Sequence, residues 1–180
     1  MSKRVNYTGQ YSLICSFTLS LICMKRIALF PGSFDPFTKG HEDIVLRGLQ
    51  LFDEVVIGIG RNTRKERYFP LERMMRLIEE AFRHQPAVRV ISYDDLTANV
   101  ARNEGAKFLL RGLRNTTDFE YENGISQVNR YVYEEVDTVF LITSPQLAPI
   151  SSSIIRDLHR YGQHVDEFLP YTLDDSQPQR

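Results

Sequence analysis

Four short stretches of this 180-residue chain carry side chains suited to holding and activating anions. The first is Pro31-Gly-Ser-Phe-Asp-Pro-Phe-Thr-Lys-Gly-His41, which follows an apolar run and precedes a helical pattern. Gly32 permits a tight turn and close approach of backbone to a ligand. Ser33 offers a hydroxyl, and His41 sits where the N–H groups and dipole of a helix N-terminus favour an anion. The second stretch is Gly60-Arg-Asn-Thr-Arg-Lys65-Glu-Arg67. Arg61, Arg64 and Arg67 read as charges of a solvated loop, whereas Lys65 lies in the loop on the side of the expected site. The third is Arg111-Gly-Leu-Arg114, directly beyond another apolar run and followed by Asp118-Phe-Glu-Tyr-Glu122. Guanidinium groups in that setting need an anion, either a phosphate gripped bidentately or an internal partner among Asp118, Glu120 and Glu122. The fourth is Ile150-Ser-Ser-Ser-Ile-Ile-Arg156, where three serines open a helix. Capping explains one of them, and an anion nest explains all three.

The elements that must position these groups alternate along the chain. Strands are expected at Lys25–Phe30, Glu54–Ile59, Val88–Ser92, Phe108–Leu110 and Asp137–Ile142. Helices are expected at His41–Leu51, Leu71–Phe82, Leu96–Asn103, from a cap at Asp118 to about Tyr133, and at Ser152–Tyr161, closed by Gly162. Leu71, Met74, Met75, Ile78 and Phe82 share one helical face. Strands that are apolar on both faces and alternate with helices indicate a parallel sheet flanked by helical layers, an α/β, Rossmann-like single domain. In such sheets ligands sit beyond the carboxyl ends of the strands, at the switch point. Each of the four stretches follows a strand end.

Composition excludes some classes. A net charge of −1 gives no basic surplus for nucleic acid, so a nucleic-acid partner is not expected and any anion site must be local. The only cysteines, Cys15 and Cys23, imply neither a zinc site nor a disulfide framework for the body, in keeping with a reducing, cytoplasmic setting. Residues 11–23 look superficially like a signal peptide. Serines and a threonine interrupt the apolar run, no small-x-small site follows, and the stretch is too short and polar to span a membrane. Residues 1–23 are expected to be a poorly ordered extension, with Met24 as the start of the domain at 24–173 and a polar tail at 174–180. The glycine spacing of the first loop matches neither the dinucleotide fingerprint nor the Walker A pattern, which demotes an NAD oxidoreductase and a P-loop kinase.

Thr38-x-Gly40-His41 after a strand resembles the (H/T)xGH signature of the nucleotidyltransferase superfamily. Within it, RGLR followed by DFEYE at Arg111–Glu122 resembles the bacterial phosphopantetheine adenylyltransferases, and the four motifs occur in order over about residues 24–173. The resemblance implies AMP transfer from ATP to 4′-phosphopantetheine, giving dephospho-coenzyme A and pyrophosphate, with His41 stabilising the transition state. It implies that Ser33, Lys65, Thr97 and Arg111 hold phosphopantetheine. ATP would be held by Ser33, Phe34, His41, Gly112, Leu113, Arg114, Glu122, Leu147, Ala148, Pro149, Ile150, Ser151, Ser152 and Ser153. Leu147 departs from the family, whose members often carry an aromatic residue there, and this alters the packing around the nucleotide. The family implies Mg²⁺ arriving with ATP rather than in a carboxylate cage, and a homohexamer. Two other readings fit the same motifs: transfer to a different phosphate acceptor, and a nucleotide-binding module without turnover. Intact Ser33, His41, Lys65 and Arg111 argue against the second.

Overall fold

The computed structural model describes residues 25–61 and 66–173. The expected extension at 1–23, the tail at 174–180 and Lys65 lie outside them. Five parallel strands form one sheet in the order β3-β2-β1-β4-β5: β1 (Ile27–Gly32), β2 (Glu54–Gly60), β3 (Val88–Tyr93), β4 (Phe108–Leu113) and β5 (Asp137–Ile142). Between them run α1 (Lys39–Gly48), α2 (Leu71–Ala81), α3 (Thr97–Asn103) and α4 (Thr116–Val132); α5 (Ser152–Arg160) follows β5.

Side chains that alternate along each strand supply two cores. Ala28, Phe30, Val55, Ile57, Ile59 and Leu110 face one side, where they are covered by Ile44 and Val45 of α1, Met74 and Ile78 of α2, and Ile155 of α5. Leu29, Val56 and Leu109 face the other, against Val100 and Ala101 of α3. The helical face expected around Met74 and Ile78 is the face that is buried.

Several boundaries shift from the sequence expectation, β1 running to Gly32 and α1 starting at Lys39, and two of the shifts reshape the site. β4 runs three residues beyond Leu110, because β5 pairs with it continuously from Phe108↔Asp137 to Leu113↔Ile142. Arg111 and Gly112 therefore belong to the strand rather than to the loop after it. The cap of α4 is Asn115, whose side chain accepts a hydrogen bond from the Asp118 N–H at 2.9 Å, and the helix begins at Thr116. Asp118 does not cap, because its carboxylate is taken by Arg114.

The switch point lies between β1 and β4, where the chain changes direction across the sheet. β1 pairs with β2 over six residues but with β4 only at Ala28↔Phe108 and Leu29↔Leu109. Beyond Leu29 and Leu109 the two strands separate, and the gap between their carboxyl ends is the crevice expected of an open parallel sheet.

Candidate active site

A cavity of about 680 Å³ fills that crevice. Its floor is the end of β1 and the loop that follows, its walls are β4 and α4, and its far rim is the start of α5. Of the expected site residues, Ser33, Phe34, His41, Arg111, Gly112, Arg114, Glu122, Ile150, Ser151, Ser152 and Ser153 all line it. Leu113, Leu147, Ala148 and Pro149 do not; Leu113 points from β4 into the protein and is almost fully buried. Thr97 lines a smaller adjoining pocket of about 140 Å³, with its hydroxyl 3.2 Å from that of Tyr93. The two pockets share Pro31, Gly32, Arg111 and Glu122.

The first loop is held in an unusual path. Phe34 has φ 43°, in the left-handed region that non-glycine residues rarely occupy. Its ring folds back over Gly32, where an added Cβ would lie 2.7 Å from ring carbons, so any side chain there would displace the ring. The carbonyl oxygens from Ser33 to Thr38 are each occupied. Arg67 donates to those of Ser33 and Phe34 at 2.7 and 3.1 Å, Arg156 to that of Asp35, and Ser152 Oγ to that of Pro36 at 2.8 Å. Tyr171 donates its hydroxyl to the Phe37 carbonyl, and the α1 backbone takes that of Thr38. Carbonyl lone pairs repel phosphate, so a loop whose carbonyls are engaged elsewhere suits an anion.

His41 occupies the third position of α1, where a capping box would have Glu or Gln. Its Nδ1 accepts the Thr38 N–H at 3.0 Å, so the proton of the neutral ring sits on Nε2. Phe30, Phe34 and Phe37 surround the ring with centroids 6.2, 5.1 and 5.3 Å away. Burial, followed by the charges of Arg111 and Arg114, pushes its pKa down to about 4. At neutral pH His41 is an uncharged hydrogen-bond donor.

The arginines have the internal partners that the sequence left open. Arg111 donates through Nε to Glu122 at 2.7 Å, makes a second contact to that carboxylate through Nη2, and donates through Nη1 to the Pro31 carbonyl. That last bond bridges the gap between β1 and β4. Two of its five N–H groups remain for a ligand. Arg114 grips Asp118 at 2.8 and 3.1 Å, which raises its own pKa and lowers that of Asp118. Arg156 also lines the cavity and reaches Ser153 Oγ at 3.1 Å. Three arginines against two carboxylates leave the lining with surplus positive charge.

The serines divide their work. Ser151 Oγ caps α5 by accepting the Ile154 N–H, Ser152 ties α5 to the first loop, and Ser153 accepts from Arg156. Gly112 lets β4 pass close to α1, since a Cβ there would lie 2.8 Å from Ile44 Cγ1.

The chain matches the cytidylyltransferase-like family model over residues 29–158. Proteins named phosphopantetheine adenylyltransferase are similar to it along nearly their whole length. That of Cytophaga hutchinsonii is 58% identical over 150 residues, which cover 83% of this chain and 100% of the relative. That of Flavobacterium johnsoniae is 50% identical, covering 81% and 95%, and that of Porphyromonas gingivalis 49%, covering 83% and 99%. The chain belongs to the phosphopantetheine adenylyltransferase family. Among solved structures, a bifunctional NMN adenylyltransferase/ADP ribose pyrophosphatase from Francisella tularensis superposes with a TM-score of 0.63 at 18% identity. The match covers 83% of this chain and 46% of that one, and it carries the nucleotidyltransferase fold alone.

Sequence reasoning passed over three residues that shape this family site. Arg156 carried a usable signal, since it follows Ser153 by three residues on a helix and so shares its face. Asp35 and Arg67 carried none. Arg67, expected in solvent, is only 17% exposed and holds the first loop from behind.

Proposed function

We propose that the chain transfers AMP from ATP to 4′-phosphopantetheine. A phosphate oxygen of the acceptor forms a bond to the α-phosphorus as the bond from that phosphorus to the bridging oxygen breaks, releasing pyrophosphate and leaving dephospho-coenzyme A. One observation carries the reading above the family membership: the neutral His41, Arg111, Arg114, Arg156 and the first turn of α5 converge on a single cavity at the switch point. Two anions must meet there, and positioning with charge neutralisation is the whole of the protein's task.

In this reading His41 Nε2–H hydrogen-bonds the charge that builds on the α-phosphoryl oxygens. The free N–H groups of Arg111, with Lys65 and Ser33, hold the acceptor phosphate, and its pantetheine arm extends toward Thr97. Arg114 and the α5 N-terminus hold the ATP phosphates, with Phe34 and Gly112 beneath them and Ile150 beside the nucleotide. Mg²⁺ comes with ATP. Among the described residues no three His, Cys, Asp or Glu gather as a metal site, and the two cavity carboxylates are committed to arginines. That donor set suits an ion carried on the triphosphate that keeps several waters and neutralises phosphate charge. We further propose a cytoplasmic homohexamer. No helix among the described residues is long and apolar enough to cross a membrane, and α4 buries no residue within the protomer while presenting Tyr121, Val128 and Tyr131.

The test is pyrophosphate release from ATP across a panel of phosphate acceptors. Turnover with 4′-phosphopantetheine far above the others is expected. Turnover with another acceptor, or ATP binding without turnover, overturns the assignment. Inversion at phosphorus with a chiral ATP analogue is expected for the single displacement, and retention would point to a covalent intermediate. Light scattering gives the assembly size.

A further inference from the structure

Arg67 lies behind the first loop, outside both pockets, yet it holds the two peptide units on either side of the strained Phe34. φ and ψ of Phe34 are the rotations that relate those two planes. A guanidinium that binds both carbonyls therefore dictates both angles at once. A left-handed non-glycine residue is unfavourable and persists only where its surroundings impose it. Hydrogen bonds from a charged donor are stronger than neutral ones, and two of them act here against that cost. The grip is reciprocal. Asp35, next in the loop and largely buried, accepts the N–H groups of Tyr68 and Phe69 at 2.9 and 2.8 Å. Arg67 Nε donates to the Phe69 carbonyl at 3.3 Å, and the Arg67 and Asp35 charges stand 4.0 Å apart.

The imposed angles have two consequences at the site. In each trans peptide unit the N–H points opposite to the carbonyl. With the Ser33 and Phe34 carbonyls turned to Arg67, the Phe34 and Asp35 N–H groups face away from it. The Phe34 ring is also sent between Gly32 and His41, edge-on to the imidazole at 5.1 Å. We propose that Arg67 is a positioning residue for the transfer reaction: by clamping both carbonyls that flank Phe34, it sets the loop's amide donors and the packing of His41 without touching substrate. Lysine cannot replace it, because a single ammonium lacks the fork that spans two carbonyls. The kinetic arm of the test rests on the proposed adenylyl transfer, and the spectroscopic arm on the loop geometry alone.

The test compares Arg67→Lys and Arg67→Met with the parent protein in steady-state kinetics and in an NMR titration of the assigned His41 ring. In both variants kcat is expected to fall about tenfold or more, with KM for ATP and acceptor changed less than about threefold. The His41 titration should move upward from about 4 toward the ordinary histidine value as the Phe34 ring loosens. Folded variants that keep the parental kcat and the parental His41 titration overturn the proposal. So does a rise in KM with kcat and titration unchanged, which would mark a substrate contact. If Arg67→Met does not fold, Arg67→Lys decides. A parent without turnover sinks the proposed function, and the His41 titration still tests Arg67.

Discussion

At the scale of single residues, His41 bears the clearest expectations. Losing one preorganised donor to a developing oxyanion costs about 10²–10³ in rate. His41→Ala should lose that much kcat while circular dichroism shows the fold retained, the unfolding midpoint falling only by what the lost bond to the Thr38 N–H requires. A variant of near-parental activity would remove His41 from the reaction. Its titration makes a second prediction. With a folded pKa near 4 against an ordinary 6.5, the ring stays neutral through the physiological range, so kcat should show no inflection near pH 6.5 from this group. The sign for stability follows from proton uptake. Above pH 6.5 neither the folded nor the unfolded chain binds the proton. Between 6.5 and about 4 only the unfolded chain does, so acid weakens the fold through that window, and below it the loss is complete. Urea unfolding at pH 7 and pH 5 should show that His41→Gln removes on the order of 1 kcal/mol of the acid sensitivity. An unchanged pH dependence in the variant would mean that His41 titrates normally.

At the scale of elements, the site depends on how α4 starts and on where β4 ends. Asn115 caps α4 through its side chain, which frees Asp118 to hold Arg114 at the cavity wall. Asn115→Ala should cost about 1 kcal/mol in denaturant unfolding. It should also weaken ATP binding, since the first turn of α4 carries Asp118. A stability loss with unaltered ATP affinity would separate the cap from the site. β4 continues through Arg111 and Gly112 because β5 pairs with it to the end. That continuation takes Arg111 up to the mouth of the gap, where it reaches both Glu122 and the Pro31 carbonyl. The tripled serine shows how one element serves several ends, with one hydroxyl as cap, one as tether to the first loop and one as partner to Arg156.

At the scale of the whole molecule, the cavity exists because β1 and β4 pair briefly and then part. It draws one wall from each half of the sheet, so a ligand that binds there contacts both halves and stabilises the folded state over the unfolded one. ATP at a hundredfold over its Kd should add about 2.7 kcal/mol to stability and raise Tm by several degrees. Absence of any shift at saturating ATP would mean the crevice is not a nucleotide site. The two cores on opposite faces of the sheet hold this geometry, and Phe37 shows how closely core and site are joined. It is fully buried, packs on Phe82, contacts the His41 ring and gives its carbonyl to Tyr171.

Much of this was legible in residue order alone. Alternating apolar runs and helical periodicities identified the parallel sheet, and glycine, serine, histidine and arginine at or just beyond strand ends pointed to the carboxyl edge, where Ser33, His41, Arg111 and Ser151 line one cavity. Those signals are short-range: periodicity, caps and turn residues act within a few positions of one another. What residue order left open was pairing across long separations. It offered Arg111 three acidic partners and did not choose Glu122. It treated Arg67 as a solvated charge, although Arg67 holds carbonyls more than thirty positions earlier. Such contacts depend on which strands become neighbours and on how far they stay paired, and only the folded sheet decides that.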